Sequence, residues 1–410
     1  MSHYDFKPRF YNDFQCVGSD CEDSCCTNWS ITMDRKTYEF MIYKSALKEQ
    51  AKTSFVLTPQ ADHFAEIRLD SERRCVFLDE ENWCRVQQVD GWKHLSNTCR
   101  LYPRKEMKRG ETLSEHTLLL SCPEAVKNIL FSPYAMQFQR VELDYPVKTT
   151  RDYFRPSWYA DVQRWMMRVL QQRHVSFETK MYVMGRSLSV LGHHVGDEQK
   201  FHDHLLAVSQ KNYQQQVKKE FKRHPSAILL QSYFFMSLLD MLASNSCFEL
   251  MEKSPRLRTL TETIQSILCG AQRPVEMLKK ILQSEPQNYS QFFESYPWIW
   301  RNYFLYRAYV EDFPSGSFRQ FFYYFLFEFI YFRTVLWILA SERELNEDDV
   351  TWVVQSFHKS LYGKSFIKIL DNIENSCLVN GYPSLQPLRL LKSNAYSSVS
   401  RSLKSGSPSR

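Results

Sequence analysis

Residues 16–26 read CVGSDCEDSCC, four cysteines spaced C-x4-C-x3-C-C, and the rest of the chain is organised around them. Cys75, Cys84 and Cys99 follow as C-x8-C-x14-C, and a last C-x22-C step reaches Cys122. Eight of the eleven cysteines therefore precede residue 123, leaving only Cys247, Cys269 and Cys377 for the remainder. Thiols at this density are cross-linked or bound to a soft metal, because crowded free thiols oxidise or repel as thiolates. The vicinal pair Cys25 and Cys26 does not easily bridge to itself. Both can serve one cluster, or one turns to a metal and the other into a core.

Compartment favours metal. Residues 1–14, MSHYDFKPRFYNDF, have no apolar h-region of a secretory signal, so a cytoplasmic location is expected, where thiols stay reduced. Metal or iron–sulfur ligation is then preferred to disulfides and to unlinked buried cysteines. The candidate ligands are Cys16, Cys21, Cys25, Cys26, Cys75, Cys84, Cys99 and Cys122, with Cys122 the last choice. Four thiolates suffice for one four-iron cluster or one structural zinc, and spacing alone does not pick the four. Such a metal would staple a loop-rich domain that has few apolar residues of its own.

The remaining composition describes a globular chain. A 43% hydrophobic and 15% aromatic content supports buried cores in two or three domains over 410 residues. The formal charge of +6 owes most to Arg389, Lys392, Arg401, Lys404 and Arg410, which share the C-terminal stretch with no acid, so nucleic-acid binding by the body is not implied. That stretch, 389–410, is serine-rich and reads as a disordered basic tail.

Along the chain, residues 1–15 suggest an extended arm. Residues 29–45 suggest a short strand or turn and then a helix capped by Asp34. The alternation of Ala65, Ile67 and Leu69 suits a strand, and 83–103 reads as loop. Helical periodicity runs through 158–170, 176–192, 198–222 and 226–243, with Pro225 as a break, and Asn346 with Asp349 resembles a capping arrangement. Residues 318–340, FRQFFYYFLFEFIYFRTVLWILA, are long enough to span a bilayer. Glu328 and Arg333 inside them make a buried core helix the better reading, since a mid-bilayer charge costs roughly 2.5–3.5 kcal/mol. Peripheral membrane association stays open. The expected fold is mainly α, a small irregular metal-stapled cysteine-rich unit (1–130) packed on a helical body (150–385).

The segments CVGSDCEDSCCTNWSITMD, CVFLDEENWCRVQ and LSNTCRLYPR resemble, in order and spacing, the cysteine signature of the flagellin lysine-N-methylases. That family is itself similar to a wider group of zinc- or iron-chelating cysteine-cluster proteins. The resemblance covers most of the chain. It implies methyl transfer from S-adenosylmethionine to surface lysines of flagellin in the cytoplasm before export, and a [4Fe-4S] cluster in the cysteine region, with zinc as the alternative. The C-x3-C-x2-C loop usual in radical enzymes that cleave S-adenosylmethionine is absent, because Cys26 follows Cys25 at once. A Rossmann-type methyltransferase domain is also disfavoured: the chain has 11 glycines, and Gly185, Gly192 and Gly196 are the nearest thing to a cluster. A non-catalytic metal-binding adaptor and an iron–sulfur redox protein are the competing readings.

Methylation requires a neutral amine, whereas lysine has a pKa of about 10.4, so its pocket must desolvate the ammonium or offer a base. His94, His193 and His194 are candidate bases, although such histidines are more often structural. Arg100 and Arg104, flanking Pro103, are candidates to neutralise a cluster or grip a carboxylate.

Overall fold

The computed structural model describes residues 3–58, 60, 63–109, 113–143, 155–244, 247–270, 273–379 and 387–392. They fall into two compact units, one drawn from 1–128, 137–150 and 252–255, the other from 129–136, 151–251 and 256–410.

The first unit is richer in strands than its sequence suggests. Strands β1 (His3–Pro8), β2 (Thr32–Met33), β3 (Phe55–Leu57), β4 (Ala65–Ile67), β5 (Arg104–Arg109), β6 (Leu113–Leu118) and β7 (Phe138–Leu143) form two sheets, ordered β5-β6-β1-β7 and β2-β4-β3. The N-terminus is therefore no free arm. β1 is an interior strand, parallel to β6 with Tyr4 opposite Leu113, and antiparallel to β7 with Tyr4 opposite Glu142. Two side-chain pairs lie on this sheet: His116 Nε2 is 2.5 Å from Asp5 Oδ1, and Arg109 Nε is 3.1 Å from Glu115 Oε2.

Nor is the unit irregular or poor in core. Asp34 caps the helix Arg35–Tyr43 as expected, accepting from Thr37 N at 2.9 Å. Met41 of that helix joins Ile31, Met33, Leu47, Ala51, Cys75, Phe77 and Val86 in a buried cluster. Each large side chain in it contributes about 1.5–3 kcal/mol by leaving water, so apolar packing contributes to holding these loops.

The second unit is helical. Tyr159–Leu170, Phe177–Gly192, Glu198–Ser209, Lys211–Arg223 and Ile228–Ala243 follow the apolar period, and the stretch read as one helix over 198–222 divides at Gln210, whose ψ of 139° is extended. Asn346 and Asp349 complete a reciprocal capping box, each backbone N–H donating to the other's side chain at 3.0 Å. Arg389–Lys392 departs from the expected tail. Leu390 and Leu391 are fully buried, because two leucines in a row repay burial even in a basic stretch; residues 393–410 lie outside the described residues.

The helix Phe318–Glu342 is, among the described residues, the one long and apolar enough by itself to cross a membrane, and 89% of its most apolar window is buried within the protein. Its charges are paired. Arg307 grips Glu328 through Nε at 2.9 Å and Nη2 at 3.1 Å, and Tyr303 OH donates to the same carboxylate at 2.7 Å. Arg333 is wholly buried, 3.4 Å from Glu178 and stacked on Trp337. Breaking a buried pair strands a charge, so Glu328→Leu should cost about 3–5 kcal/mol, while the Arg307→Met/Glu328→Leu double variant should cost far less. Urea unfolding followed by tryptophan fluorescence checks both.

Candidate functional site

Local backbone bonds draw the two cysteine blocks together. Cys75 N donates to Cys26 O at 2.8 Å, Asn28 N donates to Arg73 O at 2.9 Å, and Thr27 bridges Arg74. Gly18 has a φ of +63°, and a β-carbon there would stand 3.2 Å from the Trp83 ring, so the first block needs glycine where the second passes over it. Cys84 caps the helix Arg85–Val89 and Cys99 sits in Asn97–Leu101, whose cap Ser96 accepts from Cys99 N at 3.1 Å. Cys122 directly precedes the helix Pro123–Leu130, and Lys127 of that helix reaches back to Glu22 at 2.8 Å.

All ten described cysteines are thiols rather than disulfides. Burial pushes Cys75, Cys99 and Cys122 up to about 12 and raises Cys21 and Cys84; in all five the nearby Cys25 sulfur adds to the rise. The Cys25 sulfur thus lies within electrostatic range of five others. Cys26, like Cys84 and Cys99, packs against the apolar core that contains Cys75, and Cys16 is exposed. The donor set has the chemistry of a soft-metal or iron–sulfur site. Its geometry stops short of one, since among the described residues no three Cys, His, Asp or Glu side chains are disposed to hold an ion.

The other candidates have local roles. His94 stacks on Phe40 with centroids 3.9 Å apart, and His194 stacks on His204 at the same distance. Arg100 bonds Asn97 at 2.6 Å, while Arg104 lies over Phe14 and donates to its carbonyl at 3.3 Å. Gly185 and Gly192 lie within a helix and cannot form a phosphate-cradling turn.

Two polar groupings in the helical unit have no local signal in the sequence. In one, Tyr303 OH lies between Glu328 and His358 Nε2, 3.0 Å away, and His358 is on a short π-helix, Phe357–Leu361. Burial and then the Arg307 charge push His358 well below its usual range, which keeps it neutral. In the other, Tyr182 OH donates to Glu220 at 2.6 Å and lies 2.8 Å from His224 Nε2, on the wall of a cavity of about 200 Å³ that Phe221, Ser226, Leu388 and Lys392 also line. That volume is below the ~300–1,000 Å³ of pockets enclosing whole cofactor-sized ligands and suits a side chain.

The raised thiols give a pH dependence. In metal-free protein Cys75, Cys99 and Cys122 stabilise the fold fully below the unfolded thiol range near 8.5, and that stability is lost as pH climbs toward 12. At pH 8, iodoacetamide should label exposed Cys16 and Cys269 first and the buried Cys75 and Cys122 only on unfolding, as peptide mass mapping will show.

Residues 163–381 match the FliB lysine N-methylase C-terminal domain, and residues 15–120 match the "Putative zinc- or iron-chelating domain". Lysine-N-methylases of Salmonella choleraesuis (strain SC-B67) and Salmonella typhimurium (strain LT2) are each 26% identical over 372 residues, 86% of this chain and 90% of theirs. The flagellar biosynthetic protein FliU of Salmonella muenchen is 37% identical over 134 residues, 32% of this chain and 79% of its own. No solved structure matches the chain. The match over more than half of the residues places the chain in the FliB lysine N-methylase family, and so among the protein-lysine N-methyltransferases.

Proposed function

We propose that the protein methylates lysine side chains of flagellin in the cytoplasm, with S-adenosylmethionine as donor and a metal or iron–sulfur cluster held by the N-terminal cysteines. The observation that carries the reading is the family match across 163–381, with relatives named lysine-N-methylase alignable over most of the chain. The flagellar name of the relative that matches about a third of the chain supports flagellin as acceptor.

Bound S-adenosylmethionine supplies an electrophilic methyl group on a sulfonium. The lysine nitrogen forms the new N–C bond as the S–C bond breaks, and the departing electron pair stays on sulfur. The amine must already have lost its proton, so a desolvating, hydrogen-bonding pocket for the lysine is the chain's main task. The cavity at His224 is too small for the whole donor, and the donor is not assigned to it.

The cysteine chemistry supports a metal-binding role through two facts: the thiols are reduced, and six share the neighbourhood of Cys25. Zinc and a [4Fe-4S] cluster both accept such donors. Cys21, Cys25, Cys75, Cys84, Cys99 and Cys122 are the preferred ligand pool. Cys16 and Cys26 rank below them, Cys16 being exposed and Cys26 not among the sulfurs that raise these thiols.

Incubation with methyl-labelled S-adenosylmethionine and unmodified flagellin should place label on lysine; its absence with metal-loaded, folded protein rejects the assignment. Cys25→Ser should lower bound metal more than Cys26→Ser does, read by elemental analysis of anaerobically purified protein. Equal loss in both variants contradicts the central place given to Cys25.

A further inference from the structure

The segment Pro387–Lys392 is seated against the helices Phe177–Gly192, Ile228–Ala243 and Phe318–Glu342. Its apolar side is tightly received: a β-carbon on Gly185 would stand 2.5 Å from Leu388 Cδ2, and Leu390 and Leu391 are fully buried. Its polar anchoring is almost entirely to main chain. Gln231 Nε2 donates to Leu390 O at 2.6 Å and to Lys392 O at 3.1 Å, and Ala227 N donates to Lys392 O at 3.0 Å. Arg333 reaches Leu390 O and Leu391 O at 3.4 Å, a long distance for a guanidinium.

Donors aimed at backbone carbonyls hold a peptide without demanding one sequence, and pockets for alternate side chains then add selectivity. The fit here is incomplete. Gln231 is 1% exposed and Arg333 0%, yet Gln231 Oε1 and Arg333 Nε find no hydrogen-bond partner. A peptide that met those buried atoms would displace one that leaves them unmet.

The segment ends in a lysine at a cavity. Lys392 Nζ lies 5.2 Å from the Phe221 ring centroid and 3.5 Å from Lys222 O, next to the space walled by His224 and by Ser226, whose buried Oγ has no partner. An aromatic face with a carbonyl oxygen is chemistry that receives an alkylammonium.

We propose that this groove binds a lysine-bearing peptide strand of the protein substrate, and that Pro387–Lys392 is an internal competitor for it. The inference rests on the lysine-methylation reading and identifies where the acceptor strand lies. Substrate binding is then weakened by the fraction of time the segment is docked.

The test compares the full chain with its Leu390→Asp/Leu391→Asp variant, using flagellin as acceptor and a peptide of sequence PLRLLK, residues 387–392. If the segment is docked nine-tenths of the time, the variant's KM for flagellin falls about tenfold with kcat within about twofold. Added PLRLLK then raises the variant's KM competitively. An unchanged KM together with no inhibition by the peptide overturns the proposal. Should the variant fail to fold, hydrogen exchange on the unaltered chain decides: faster exchange of the Lys392 and Ala227 amides on adding flagellin supports displacement, and unchanged exchange overturns it. Calorimetry with flagellin and no methyl donor separates the two readings. Tighter binding by the variant supports the groove even where no label is transferred, whereas transferred label with unchanged affinity overturns the groove alone.

Discussion

Six sulfurs sharing one neighbourhood, most of them removed from water, cannot all ionise together. Burial and the mutual effect of the thiols hold Cys75, Cys99 and Cys122 protonated up to about pH 12, and Cys25 is the residue each of the others senses. Only a cation brought among them would reverse that preference, because it makes the thiolates favourable and releases their protons. An apolar cluster from Ile31 to Val86 and backbone bonds between the 25–28 and 73–75 segments hold the surrounding loops.

The helical unit solves a different electrostatic problem. Its longest helix carries Glu328 and Arg333 in apolar surroundings, and each is met by an opposite charge or by carbonyls from elsewhere in the chain. Such pairs add little net stability compared with apolar residues of the same shape, but they specify which helices meet. Arg333 also connects Glu178 to the C-terminal segment, so the charge that argued against a bilayer span is the one that orients the carbonyls of Leu390 and Leu391.

What could be read from the sequence followed periodicity and punctuation. The helices after Trp158, the break at Pro225, the cap at Asp34 and the Asn346–Asp349 box depend on neighbours in sequence, and each was legible. The four-stranded sheet was not, because β5, RKEMKR, is charged and half exposed, β6, LSEHTL, is polar though largely buried, and β1 pairs with residues more than a hundred positions away. The core of the N-terminal unit was missed for a related reason. Its members are scattered between polar turns, and only folding collects them. At the site, cysteine spacing marked where thiols crowd but not the electrostatic reach of Cys25. Tyr182, His224 and Lys392 carried no motif at all, being brought together from three separate stretches.

X-ray absorption at the zinc and iron edges of anaerobically purified protein addresses the cysteine neighbourhood most directly. The account predicts a bound metal with a first shell of sulfur at about 2.3 Å, the distance of metal–thiolate bonds. Protein that is folded and fully reduced yet binds neither metal, or binds one through nitrogen and oxygen alone, would contradict it.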